Sequence, residues 1–307
     1  MHLTIGIFGD QDQELARRLG KKGTTNDIAI FNHSSSEGVL TYVCPNSEKV
    51  QPLLQVLNMI DVPILVANKL TKEVGEMIIG LDEMNFEKGF IITGIGEQIQ
   101  SIIKDTSLEK FEITDENNLR TLLLGLKIDR HDGQNDFLMI PIDNYFKVTG
   151  IGTIILGIIK SGVIKKYDKV FLEPLGKEVL IKGIQSQDND LEEACAGMRV
   201  GLNLKGVEAE DVKRGFVLCR EINKASALKV RFEKNSFSKQ EVKEGMNVLL
   251  CVGLQVVTCN VESVGKGKEK ELVLKSNQPI AYVKNQRCII ASQNDTYPRI
   301  IGSGNIG

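Results

Sequence analysis

The feature that most constrains this chain is a single change of hydrophobic period. Up to about residue 128, short apolar runs alternate with helical stretches. Leu3–Phe8, Ile28–Phe31, Val39–Val43, Pro63–Ala67, Gly89–Thr93 and Phe111–Ile113 read as strands. Gln13–Leu19 (with Gly20 as its cap), Val50–Met59, Lys72–Asp82, Gln98–Lys104 and Asn118–Leu126 read as helices. Strands alternating with helices build a mainly parallel α/β sheet. After the polar, turn-rich run Asp129–Asp136, helical periodicity disappears. Short β-rich runs follow: Phe137–Ile142, Thr153–Ile159, Lys169–Leu172, Val179–Gln185 and Arg199–Leu204, then Ala227–Phe232, Met246–Val252, Gln255–Val261, Lys270–Leu274, Ala281–Tyr282 and Arg287–Ala291. Regularly spaced short strands between turn residues predict β-barrels. The expected architecture is one α/β domain over residues 1–130 and two β-barrels, over 131–222 and 223–307, with the second junction near Glu221–Ala225.

Composition narrows the function classes. The net charge of −2 supplies no global basic field, which argues against a non-specific DNA binder but leaves a local patch for RNA. No run approaches the ~18 apolar residues of a membrane span, and MHLTIGIFGD lacks the basic lead-in of a signal peptide, so the expectation is a cytoplasmic protein with no membrane partner. The six cysteines, Cys44, Cys195, Cys219, Cys251, Cys259 and Cys288, form no C-x-x-C pair and sit mostly in strand-like runs. They read as reduced, structural small hydrophobes. The scattered His2, His33 and His131 suggest no metal site.

The most specific segments lie in the second domain. They are Ile140-Pro141-Ile142-Asp143-Asn144-Tyr145-Phe146-Lys147-Val148-Thr149-Gly150-Ile151-Gly152-Thr153, then Gly162-Val163-Ile164-Lys165 with Asp168-Lys169-Val170, then Ala196-Gly197-Met198-Arg199-Val200-Gly201, then Lys213-Arg214-Gly215-Phe216-Val217-Leu218. Gly150 and Gly152 suit a tight barrel corner, where only glycine takes positive φ without strain. Four such segments in this order resemble the second domain of translational GTPases of the elongation factor Tu and selenocysteine-specific elongation factor type. The resemblance implies a P-loop, GTPase-like α/β domain followed by two barrels.

It also exposes a degraded nucleotide site. The family's phosphate loop aligns with Gly9, Asp10, Gln11, Asp12, Gln13, Glu14, Leu15 and Ala16. Gly9 and Asp12 match. The phosphate-neutralising lysine becomes Leu15, and the Mg²⁺-binding hydroxyl becomes Ala16. Asp10 and Glu14 put negative charge where phosphates would lie. Gly23–Asp27 is similar to the family's first switch, with Thr25 in the place of its Mg²⁺-sensing threonine. The second switch reads Val43-Cys44-Pro45-Asn46-Ser47, without the metal-linked Asp or the water-positioning His. The guanine-reading segment becomes Thr93-Gly94-Ile95-Gly96; Asn68-Lys69 imitates it after an earlier strand and reads as coincidence. Phosphoryl transfer needs metal, lysine and a positioned water, so little or no GTP hydrolysis is expected. The N-terminus of the following helix still offers an anion site, leaving weak GTP binding, with Mg²⁺ open, and a nucleotide-free scaffold as alternatives.

By resemblance, Asp143, Asn144, Phe146 and Arg199 fall at the pocket for the aminoacyl end of a charged tRNA, and Arg199 is the residue usual in selenocysteine factors. An arginine there suits a selenolate or thiolate, so a small cysteinyl or selenocysteinyl group is favoured. The alternative role for Arg199 is a salt bridge to Asp143 that braces the barrel. Arg299–Gly307 resembles the last strand of the family's third domain, and the sequence stops without the extra domain that some selenocysteine factors use toward the ribosome. The expected function is capture of aminoacyl-tRNA, with the ribosome as a further partner. The alternative is a protein-interaction scaffold that reuses the fold without tRNA.

Overall fold

The structure, a computed structural model, describes residues 1–128, 137–266, 270–294 and 296–307. The expected linker Asp129–Asp136 therefore lies outside the described residues.

The first domain is a seven-stranded sheet flanked by helices. Its elements are β1 (His2–Gly9), α1 (Asp12–Leu19), β2 (Lys21–Thr25), β3 (Ile28–Ser34), β4 (Val39–Pro45), α2 (Val50–Met59), β5 (Val62–Val66), α3 (Lys72–Met84), β6 (Phe90–Ile92), α4 (Gly96–Ile103), β7 (Glu112–Ile113) and α5 (Glu116–Gly125). The strand order is β2-β3-β4-β1-β5-β6-β7. β1 pairs in parallel with β4 and β5, so Leu3, Ile5, Ile7 and Phe8 are buried. Both faces of a central parallel strand are covered by helices, which is why it reads as a continuous apolar run. Thr71 caps α3 by accepting from the Val74 N–H, and Asp115 caps α5 by accepting from the Asn117 and Asn118 N–H groups. Both satisfy amide donors left over at a helix start.

The polar β2 is absent from the strands expected from sequence, because an edge strand with exposed faces carries no apolar alternation. Lys21 and Lys22 are exposed in this strand, and Gly20, the residue that follows α1, is extended (φ −146°). Helix α2 is buried on nearly every side, including Leu53, Leu54, Val56 and Leu57. A helix apolar all round must be covered all round. Here the sheet lies on one side and the second barrel on the other.

The first barrel contains β8 (Met139–Val148), β9 (Gly152–Ile158), β10 (Val163–Lys165), β11 (Lys169–Glu173), β12 (Lys177–Ser186), β13 (Asn189–Leu191), β14 (Glu193–Cys195), β15 (Arg199–Lys205) and β16 (Val217–Cys219). It closes through β11-β16-β8-β9-β15-β12, with β12 returning to β11. At the β8–β9 corner, Gly150 and Gly152 have φ of 80° and 112°. The second barrel closes as β17-β20-β19-β18-β21-β22, from β17 (Asn223–Lys234), β18 (Asn247–Val252), β19 (Gln255–Val264), β20 (Lys270–Tyr282), β21 (Arg287–Ala291) and β22 (Ile300–Ile306). Two runs read as separate strands, Lys270–Leu274 and Ala281–Tyr282, are one strand. Pro279 falls where the β17 pairing jumps from Lys275 to Ile280, so its missing N–H breaks no ladder bond.

Candidate functional site

Ligands of open α/β sheets bind outside the carboxyl ends of the strands. Here that edge is stitched shut by the chain's own polar groups. β1 ends at Gly9, with φ +131° and so close to β5 that a Cβ would lie 1.8 Å from the Val66 carbonyl oxygen. Only Asp10 and Gln11 separate β1 from α1. The segment aligned with a phosphate loop is therefore mostly helix. Gln11 and Glu14 are exposed, while Leu15 and Ala16 are buried in the core with Leu3, Ile5 and Ile7. The Asp10 carboxylate accepts from the Asn68 N–H (3.3 Å), and the Asn68 side-chain oxygen accepts from the Gly94 N–H (3.0 Å). The Thr93 hydroxyl donates to the Ala67 carbonyl (2.6 Å) and accepts from the Ile95 N–H (3.0 Å). Asn68, read as coincidence in sequence, thus fastens the segment that replaces the guanine reader. On the other side, Gln13 donates to Asn46 (2.6 Å), and Asn46 donates to the Asn26 carbonyl (2.5 Å). Thr25 is exposed at the end of β2, before that turn.

Burial raises the Asp12 carboxyl to about 7, with the Asp10 charge adding, against the lowering effect of the Gln13 N–H that it accepts. Carboxylates at Asp10 and Asp12 repel phosphates, and the methyl of Ala16 offers no hydroxyl to Mg²⁺. The amide donors at the start of α1 are what remains for an anion. Among the described residues, no group of three or more His, Cys, Asp or Glu side chains is placed to hold a metal ion.

A second constellation forms where the three domains meet. A bulge in β8 between Ile142 and Asn144 sets Asp143 out of the regular alternation. Bulges re-aim side chains in this way beside functional sites. The Asp143 carboxylate, 3% exposed, takes a two-pronged hydrogen bond from Arg199 at the start of β15 (2.9 and 3.3 Å). The Asp143 carbonyl accepts from Arg214 Nε (2.8 Å), and Arg214 Nη1 reaches both oxygens of Asp27 (2.7 Å each) across the domain seam. Gln55 of α2 accepts from Arg214 at 3.4 Å and donates to the Leu254 carbonyl of the second barrel (3.0 Å). These groups, with Gln51, Asn144, Tyr145 and Val256, line an open cleft of about 460 Å³.

Of the four residues assigned to an aminoacyl pocket, Asp143 and Asn144 line this cleft. Arg199 reaches it through Asp143. Phe146 is 42% exposed and is not among the lining residues. Two carboxylates and two guanidiniums leave the cleft near neutral. Asp27, Gln51, Gln55 and Arg214 were not singled out from sequence. Arg214 stood inside a recognised segment, but its partner lies 187 residues away.

The first barrel matches the family model "Elongation factor Tu domain 2" over residues 152–219. The whole chain is similar to an uncharacterized protein of Methanocaldococcus jannaschii, at 36% identity over 99% of each chain. It is 30% identical to the selenocysteine-specific elongation factor of the same organism, over 89% of this chain and 70% of that one. In fold it is similar to the crystal structures of translation elongation factor SelB from Methanococcus maripaludis. The apo form has a TM-score of 0.85 at 21% identity, covering 100% of this chain and 79% of that one. The complex with the GTP analogue GppNHp has a TM-score of 0.87 at 21% identity, covering 99% and 78%.

Proposed function

The chain belongs to the elongation factor Tu and selenocysteine-specific elongation factor family of translational GTPases, and from that premise we propose that it captures and protects aminoacyl-tRNA in the cytoplasm, with weak or residual GTP binding and little or no GTP hydrolysis. The observation that carries this reading is the cleft at the three-domain junction. Asp143 and Asn144 line it, Arg199 is locked behind Asp143, and Phe146 lies exposed along the same strand. The acylated end of the RNA lies across this cleft. A small group, cysteinyl or selenocysteinyl, fits a cleft walled by polar side chains. The ion pair between Arg199 and Asp143 makes the arginine a brace first, so any preference for a thiolate or selenolate acts through that pair. Delivery to a ribosome would be the family's next step. The working boundaries for truncation are 1–130, 131–222 and 223–307.

At the degraded nucleotide site, the loss of the phosphate lysine and Mg²⁺ hydroxyl supports at most weak GTP binding, held by the N-terminus of α1. A second reading, a protein-binding scaffold without tRNA, draws on one observation. An apolar groove of about 270 Å³ between α3, α4 and the second barrel includes the exposed Ile102 and Phe237.

The test is ester protection. Total tRNA is charged with single amino acids, and spontaneous deacylation is followed with and without the protein, each with and without GTP. Protection of a small aminoacyl ester supports capture, and its change on adding GTP measures what is left of the nucleotide site. No protection of any ester sinks the proposal in favour of the scaffold.

A further inference from the structure

One edge of the α/β sheet carries a single kind of chemistry. β2 is the first strand in the sheet order, paired with β3, and none of its side chains is buried. Its five residues are Lys21, Lys22, Gly23, Thr24 and Thr25. Ammonium groups, hydroxyls and free backbone N–H groups are the donors that proteins turn toward phosphate oxygens. No carboxylate stands among them. Arg18, in the last turn of α1, is tied to Glu14 (2.9 Å) and Glu116 (2.7 Å), so both of those acids are already neutralised. Among the described residues, the Lys21 and Lys22 ammonium groups have no ion-pair or hydrogen-bond partner.

The register sets where these groups point. Lys22 pairs with Phe31, whose ring shares a buried cluster with Leu15 and Leu19 of α1. Lys21 pairs with Asn32 and so lies on the opposite face of the sheet. On that face Ile28 and Ile30 pack with Leu53 and Leu54 of α2, and Ser34 meets Gln187 of the first barrel (3.1 Å). The two lysines therefore straddle the edge. Between Lys22 and Thr25 the pairing shifts register, leaving an extra residue in β2. Bulges of this kind re-aim groups beside functional sites. Thr25 then leads through Asn26 to Asp27 in the wall of the cleft. At a rise of about 3.3 Å per residue, Lys21 lies at most about 20 Å from Asp27. Asn46 holds the turn between them, its side chain donating to the Asn26 carbonyl (2.5 Å) and its backbone N–H to the Asp27 carbonyl (2.8 Å).

We propose that β2 is a rail for the phosphate backbone of the RNA strand that leads to the acylated end, with Lys21 and Lys22 each neutralising one phosphate. The rail rests on the capture of aminoacyl-tRNA proposed above and extends it. The cleft takes the acyl end, and the exposed edge carries the strand beyond it. A backbone lying along the edge passes between the two ammonium groups, with the threonine hydroxyls and unpaired amides of β2 in its path. Phosphate contacts carry no sequence information, so the rail adds affinity for many tRNAs and leaves selection to the cleft. Edge lysines also deter strand pairing between molecules. That role alone predicts aggregation when they are removed, with no change in RNA affinity.

Fluorescent deacylated total tRNA, titrated with the full chain at about 0.05 to about 0.25 M salt, gives the affinity and its salt slope. Each phosphate contact on a single strand contributes about 0.7 to that slope. Lys21→Gln with Lys22→Gln should therefore flatten the slope by about 1.4 and weaken binding about ten-fold or more at the lowest salt. Lys88→Gln with Lys104→Gln removes the same charge from exposed positions after α3 and α4, and should leave both quantities nearly unchanged. Both doubles should melt as the native protein does, because all four side chains are exposed. A Lys21 and Lys22 variant whose slope matches the native one, or falls no further than the control, would overturn the rail. Ester protection separates the rail from the function it rests on. At saturating protein the variant should protect as the native chain does. Lysine-dependent tRNA binding without protection of any ester would remove acyl capture and leave the rail. Protection with an unaltered slope would remove the rail and leave capture. No tRNA binding at any salt would remove both.

Discussion

Replacing Arg299 with methionine strands the Glu76 carboxylate inside the molecule. In the native protein, Glu76 accepts from Arg299 Nε and Nη2 (3.0 and 2.5 Å) and from the Arg299 backbone N–H (2.6 Å). The guanidinium also donates to the Glu48 carbonyl (2.6 Å) and lies 4.5 Å from the Tyr297 ring centre. Removing one member of a buried pair costs about 3–5 kcal/mol, because the other stays charged and dry. Loss of the Glu48 contact adds about 1 kcal/mol. We expect Arg299→Met to lower unfolding stability by roughly 4–6 kcal/mol. The double change Glu76→Leu with Arg299→Met removes both charges but leaves the residue 299 backbone N–H without its acceptor and the Glu48 carbonyl without its donor. It should therefore recover all but about 2–4 kcal/mol of the loss. Urea unfolding, followed by circular dichroism, measures each. The α/β domain and the second barrel should unfold together in the native protein and separately in Arg299→Met. A cost below about 1 kcal/mol, or a double variant worse than the single, would refute the reasoning.

Asp12 is raised from its ordinary value near 4 to about 7, so the native state binds the proton more tightly than the unfolded chain. Stability should fall as pH rises from about 4 to 7, by at most a few kcal/mol, and level off above. Asp12→Asn should flatten that profile in pH-dependent thermal melts. Phe146→Ala should change stability by less than about 1 kcal/mol, because the ring is 42% exposed. Its loss of ester protection would then report contact with the acylated end, whereas unchanged protection would remove Phe146 from the pocket. Burial pushes the thiols of Cys44, Cys219, Cys251, Cys259 and Cys288 upward. A maleimide should therefore modify Cys195 alone in the native protein, as read by peptide mass. Leu15→Lys should not restore GTP binding in a fluorescent-nucleotide titration, and should cost about 3 kcal/mol or more, because Leu15 packs in the core.

The architecture was legible because it rests on period. Parallel strands buried on both faces read as apolar runs, and α2 stood out because the residues facing both the sheet and the barrel are apolar. What was illegible follows from the same physics. β2 is exposed and polar, so it shows no period at all. The continuity of β20 through Pro279 depends on a pairing jump that only the partner strand reveals. The departures from the family's phosphate loop were visible residue by residue, at Leu15 and Ala16. The early start of α1 was legible to within one residue, read at Gln13 and observed at Asp12. For Arg199, the brace was one of two alternatives, and the bulge at Asp143 makes it the contact observed. The ion pair at the domain seam was hidden most completely: Asp27 and Arg214 lie 187 positions apart, and neither carries a local signal of the other.

A nucleotide switch works by making loop positions depend on a phosphate that comes and goes. In this chain, the corresponding loops are held by side chains that never leave: Asp10 on Asn68, Asn68 on Gly94, Gln13 on Asn46, and Asn46 on the turn before Asp27. Each bond fixes a loop through the chain's own side chains. The cleft at the junction is walled by Asp27, Gln51 and Gln55 of the α/β domain with Val256 of the second barrel on one side, and by Asp143, Asn144 and Arg214 of the first barrel on the other. A ligand that bridges these walls can shift the protein only by its differential affinity for the arrangements they adopt.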